Sequence, residues 1–155
     1  MKLTLAKVKY YPRVSKDSNA FEAVVVVNGT PICEVVNNGM GNQNVYHCLK
    51  GSSYSEMHTA LEAVRSYCLP LISTLETMID YALMDFLAAK DLKKAFKTKL
   101  VFVLNGELYV QKASMNECFQ KSKLLSQAKK NSFFLILNDV PFDEALEVYK
   151  QYSFI

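Results

Sequence analysis

The chain has no tryptophan, only two arginines (Arg13 and Arg65), two histidines (His47 and His58) and no C-x-x-C pair. Each scarcity removes a class of function. Specific reading of bases leans on bidentate arginine, so sequence-specific nucleic-acid binding is not expected. Cys33, Cys48, Cys68 and Cys118 are scattered, which fits neither a zinc site nor a disulfide framework and favours reduced thiols. Five glycines occur, but none builds G-x-x-x-x-G-K-[ST] or G-x-S-x-G, so a classical phosphate loop and a hydrolase elbow are both missing. The most apolar helical stretch, residues 69–89, is broken by Ser73, Thr74, Glu76, Asp80 and Asp85. That pattern describes a buried helix and not a membrane span. The opening residues MKLTLAKVKYYPRV lack the apolar region of a secretory signal, so a cytoplasmic setting is expected.

What is present fits a protein with a core of its own. The chain is 155 residues long and 50% hydrophobic, with 21% charged residues, enough for one domain without metal or disulfide staples. The reading is a single domain over 1–155, with a hairpin and loop half at 1–52, a helical centre at 53–98 and a C-terminal part at 99–155. The net charge of +3 is concentrated in Lys90, Lys93, Lys94, Lys97 and Lys99 and in Lys121, Lys123, Lys129 and Lys130. Such groups are usually solvated surface, though they permit an acidic partner.

Local patterns predict an α+β fold in the order βββ(β)αα-ββαβα, with antiparallel hairpins at both ends of the chain around a central pair of long helices. Lys2–Tyr10, Phe21–Val27 and Thr30–Val36 read as strands, the last two joined by the positive-φ dipeptide Asn28-Gly29. Pro31 predicts an edge position for the third strand, and an exposed edge would permit a homodimer by strand pairing. A short strand is expected at Val45–Leu49. Capping boxes at Ser53–Glu56, Ser73–Glu76 and Ser114–Glu117 predict three helix starts. The first helix turns Met57, Leu61, Val64 and Cys68 to one face, and Pro70 ends or kinks it. Leu100–Leu104 and Glu107–Lys112 flank a second Asn-Gly turn, Phe133–Leu137 reads as a strand, and Asn138-Asp139 caps a last helix with Pro141 in its first turn.

The segment 35-VVNNGMGNQNVYHC-48 is the strongest candidate for function. Gly39-x-Gly41 begins like a dinucleotide fingerprint, but the third glycine is Asn44 and no helix opens there. The residue types also fit a structured turn, or a nest of N–H groups able to hold an anion. His47 and Cys48 are neighbours, so on a strand they face opposite ways and do not share a metal. A Cys/His enzyme using Cys33 or Cys48 with His47 or His58 is a minor alternative, because triads assemble in space. No cofactor or metal is expected.

Ser18-Asn19-Ala20-Phe21, the Asn28-Gly29 hairpin and Val36-Asn37-Asn38-Gly39-Met40-Gly41 resemble a group of small proteins from phages, prophages and other bacterial mobile elements. Their pattern runs N-A-F, a (D/N)-G hairpin, N-x-G-x-G-G, then an asparagine and an aromatic. Asn44, Tyr46 and His47 continue the match, while Asn42-Gln43 depart from it. The likeness covers residues 18–48, with a fainter echo at Ile136-Leu137-Asn138-Asp139. It implies a setting and not a mechanism. Small proteins of that setting often act by stoichiometric binding, either blocking a host defence protein or sequestering a nucleotide signal. The expected function is thus a non-enzymatic inhibitor of a host protein, with a small-ligand or nucleotide-signal binder as the alternative. The expected binding residues are Asn37, Asn38, Gly39, Gly41, Asn42, Asn44, Tyr46 and His47, with Lys93, Lys94 and Lys97 as a second contact.

Overall fold

The computed structural model describes residues 1–69, 73–112 and 134–153. It is α+β, with two antiparallel sheets, two helices between them in chain order and a helix after the second sheet. The chain divides into two compact units, Met1–Met84 and Asp85–Ile155.

The first unit carries a sheet ordered β1-β2-β3-β4, formed by Leu3–Tyr10, Ala20–Val27, Thr30–Asn38 and Val45–His47. The β2–β3 hairpin turns at Asn28 (φ 49°) and Gly29 (φ 85°), as its Asn-Gly dipeptide predicts. In β1 the apolar positions Leu3, Leu5 and Val8 break a period of two. A bulge resolves the mismatch: Leu5 pairs with Val25 but Tyr10 pairs with Phe21, a one-residue shift between Ala6 and Lys9, with Lys7 at φ 52°. The extra residue returns Val8 and Tyr10 to the half-buried side while Lys7 and Lys9 stay exposed.

The expected edge position of the third strand needs correction. β4 pairs with it at Glu34, Val35 and Val36, and among the described residues Pro31 has no strand partner on that side. A proline without an N–H fits there because no strand needs its donor. The sheet's outer strands are β1, carrying lysines and a bulge, and β4, three residues long. Both features blunt edge-to-edge pairing.

Helix α1 (Tyr54–Cys68) opens with the capping box that the sequence predicts: Ser53 accepts from the Glu56 N–H, and the Glu56 carboxylate accepts from the Ser53 N–H at 2.7 Å. Met57, Leu61, Val64 and Cys68 are all buried, and α1 packs on β3. Phe21, Val25, Cys33 and Val35 are fully buried on the sheet. Helix α2 (Leu75–Phe96) runs from the first unit into the second. Its cap is Thr74, which accepts from the Thr77 N–H at 3.1 Å, one residue after the expected Ser73. Pro70 and the helix expected from Ser114 lie outside the described residues.

In the second unit the sheet order is β6-β5-β7: Glu107–Lys112, Lys99–Leu104 and Phe134–Ile136. The β5–β6 turn again uses Asn105-Gly106, at φ 54° and 82°. Leu92, Val101, Leu137 and Ala145 form one core cluster, and Leu100, Phe102 and Ile136 form another. Asn138 does not cap the last helix, α3 (Phe142–Ser153). Its side chain reaches back to β5, accepting from the Val101 N–H at 2.8 Å and donating to the Lys99 carbonyl at 3.1 Å. The first acceptor of α3 is instead the Pro141 carbonyl, bonded by the Ala145 N–H at 2.9 Å.

Candidate functional site

The Asn/Gly loop joins β3 to β4, and its shape depends on a second loop 20 residues earlier in the chain. Gly39 is the junction. Its carbonyl accepts from the N–H groups of Lys16, Asp17 and Ser18, at 2.9, 3.0 and 3.4 Å. Its backbone lies at φ +77°, and a Cβ there would stand 2.6 Å from the Val14 carbonyl oxygen. Only glycine lets the two loops approach this closely.

Asn37 is the hub. Its Oδ1 accepts from the Gly39 N–H and the Ser18 hydroxyl, both at 2.9 Å, and its Nδ2 donates to the Asn42 carbonyl at 3.2 Å and Asn44 Oδ1 at 2.9 Å. Ser18 Oγ accepts from the Gly41 N–H at 3.1 Å, and Asn38 Oδ1 accepts from the Met40 N–H at 3.1 Å. Ser15 extends the network, donating to the Tyr11 carbonyl and accepting from the Ala20 N–H. The consecutive N–H groups of residues 39–41 are therefore all donated within the protein.

Tyr46 carries the network toward the helices. It is half-buried on β4, and its hydroxyl reaches Glu76 of α2 at 3.5 Å. Burial first, and then the Glu76 charge, push its phenol well above the ordinary value. His47 faces the other way. The register sets it opposite Glu34, and both are exposed. Cys33 is buried instead, and burial first, then nearby Cys48, push its thiol from 9.0 up to about 11. Among the described residues neither histidine bonds to a thiol, and His58 lies exposed beside Tyr54. Among the described residues no group of three or more His, Cys, Asp or Glu side chains could hold a metal. No described helix is long and apolar enough to cross a membrane.

The structure thus brings together Asn37, Gly39, Gly41, Asn42, Asn44 and Tyr46, and leaves Asn38, Asn42 and His47 exposed. It also adds residues that sequence reasoning passed over. Met40 and Val14 are each 51% exposed, Val45 is 52% exposed, and Tyr11 is 39% exposed. Val14 belongs to the loop that Gly39 locks. The serines at 15 and 18 read in sequence only as a break after β1, and nothing in their spacing reveals a partner at Asn37.

Lys93, Lys94 and Lys97 belong to the second unit. With Lys90 they edge an open groove of about 420 Å³ over Phe86 and Ala89. Lys93 lies 5.0 Å from the centre of the Phe142 ring, and Lys90, Lys94 and Lys97 form no ion pair among the described residues.

The Cys33 thiol predicts an alkaline weakness. A folded-state value raised above the unfolded one means that stability is complete below pH 9 and is lost as pH rises through about 11. The thiol's share of that loss is about 2–3 kcal/mol. Denaturant unfolding of wild type across this range should show the fall, and Cys33→Ala should flatten it. Equal slopes in the two proteins would refute the assignment.

No family model, no curated protein and no solved structure matches the chain.

Proposed function

We propose that the chain is a non-enzymatic binding protein that occupies the surface of a partner protein with the paired loops 11–18 and 37–45. In the mobile-element setting that its sequence pattern implies, the partner is a host defence protein and the outcome is inhibition in the cytoplasm. The observation that carries this reading is the combination at Gly39: a loop fixed by its own hydrogen bonds, exposing Met40 and Val14 beside it. A loop ordered before binding loses little conformational freedom on docking. Exposed apolar side chains on such a loop supply contact area, and the polar rim of Asn38, Asn42 and Gln43 supplies hydrogen bonds.

The rival small-anion reading receives less support from the same geometry. A nest needs free N–H groups, and those of residues 39–41 already have acceptors inside the protein. The lysine groove is a second contact surface in this reading, suited by charge to an acidic patch.

The test uses the protein in its own cells, with a photo-crosslinking benzoylphenylalanine at position 40 and native mass spectrometry of the unmodified protein. The expected result is one protein-sized adduct, abolished by a Val14→Asp change that leaves the melting curve intact. A small-molecule mass that leaves on denaturation, without any protein adduct, would overturn the reading.

A further inference from the structure

Strands β3 and β4 pair as Val36 with Val45, Val35 with Tyr46 and Glu34 with His47. One step further along the same register sets Cys33 opposite Cys48. Side chains alternate along a strand, so Cys33 and Cys48 share the face of Val35 and Tyr46, away from Glu34 and His47. Burial agrees: Cys33 and Val35 are fully buried, Cys48 and Tyr46 are half-buried, and Glu34 and His47 are exposed. The two thiols are also close enough for the charge of Cys48 to push the Cys33 thiol up. Residues directly opposite in an antiparallel pair have Cα atoms about 4.5–5.5 Å apart. A disulfide bridges Cα atoms about 4.4–6.8 Å apart.

We propose that Cys33 and Cys48 form a dithiol modification site that low-molecular-weight disulfides convert to a cross-strand disulfide. This inference is independent of the binding reading. Half-buried Cys48 is the point of attack. Its thiolate displaces one half of the disulfide R–S–S–R, giving a mixed disulfide and one thiolate RS⁻. The Cys33 thiolate then attacks the Cys48 sulfur, forming the Cys33–Cys48 bond and expelling the second RS⁻. The protons of the two cysteines pass to the two released thiolates, so the protein loses two hydrogens while one R–S–S–R is reduced to two R–SH. β4 is held to β3 by three residue pairs at the sheet's edge, and fraying of so short a strand gives Cys33 access to its partner.

The closed ring would contain the whole candidate loop, Asn37 to Asn44. Oxidation would therefore restrain both of its ends, raising stability by restricting the unfolded chain. Reversible disulfides of this kind in a reducing cytoplasm are characteristically redox-sensing. Cys68 lies on α1, where its sulfur contacts Met78 Sδ at 3.0 Å.

The experiment is incubation of the full native chain with oxidised glutathione well below its melting temperature, followed by intact mass and peptide mapping. The expected product is lighter by two hydrogens, carries a Cys33–Cys48 linked peptide, and melts several degrees higher until a reductant is added. Cys68→Ser/Cys118→Ser should give the same linkage. Cys48→Ser should fail to lose the two hydrogens. A wild-type protein that stops as a glutathione adduct at Cys48, links other cysteines, or does not react would overturn the proposal.

Discussion

Gly39→Ala is expected to destabilise the first unit by about 2–5 kcal/mol. Left-handed backbone costs an alanine about 1–2 kcal/mol, and overpacking adds about 1–3 kcal/mol. Here the added methyl would meet the Val14 carbonyl oxygen at 2.6 Å, Ala20 Cβ at 2.9 Å and Ser15 Cα at 3.0 Å. Two of those three atoms are backbone, so neither loop can yield without moving the other. The three N–H donors on the Gly39 carbonyl would be displaced together. Gly29→Ala is the matched control. Its φ of +85° is equally left-handed, but a Cβ there meets nothing within 4 Å, so only the backbone cost of about 1–2 kcal/mol remains. Thermal or denaturant unfolding of both variants measures the difference. Equal losses would mean that the junction at Gly39 is not tight.

Asn37→Ala is expected to cost about 1–3 kcal/mol, the range for stranding partly buried hydrogen-bonding groups. Four partners lose their mate at once: the Gly39 N–H, the Ser18 hydroxyl, the Asn42 carbonyl and Asn44 Oδ1. Asn38→Ala should change stability by no more than about 0.5 kcal/mol, as for an ordinary exposed position. Asn38 is exposed, and among the described residues its side chain bonds the Met40 N–H alone. The neighbours should separate by function in the opposite sense. Asn38→Ala should weaken partner capture while the fold stays intact, whereas Asn37→Ala should weaken capture by loosening the loop. Comparable stability losses would contradict the hub assignment.

These two asparagines show where sequence reasoning ended. The two Asn-Gly turns and the Ser53 box were legible because each is settled by residues within four positions of one another. The α1 stripe was legible because burial follows the helical period. The division of labour between Asn37 and Asn38 was not legible, because it depends on Ser18, 19 residues away. Asn138 misled for the same reason. Standing near Pro141, it has the look of a cap, but its amide finds better-placed partners on β5, 37 and 39 residues back. The bulge at Lys7 is visible only in hindsight, as an apolar series that skips from Leu5 to Val8. Pro31 misled about the third strand, because the short strand expected at Val45–Leu49 forms over Val45–His47 and pairs with it at Glu34, Val35 and Val36.

The polar residues of the loop pair divide into an internal skeleton and an outward surface. Ser15, Ser18, Asn37, Gly39 and Asn44 face one another, and Met40, Val14, Asn38 and Asn42 face solvent. The most direct measurement is amide hydrogen exchange of the free protein at residues 16, 17 and 39–41. Each of these N–H groups has an acceptor within the loops. The account predicts exchange slowed by about a hundredfold or more relative to an unstructured chain, and loss of that protection in Asn37→Ala. Exchange at unstructured rates in the free wild type would contradict the preformed loop pair, and with it the surface proposed to bind.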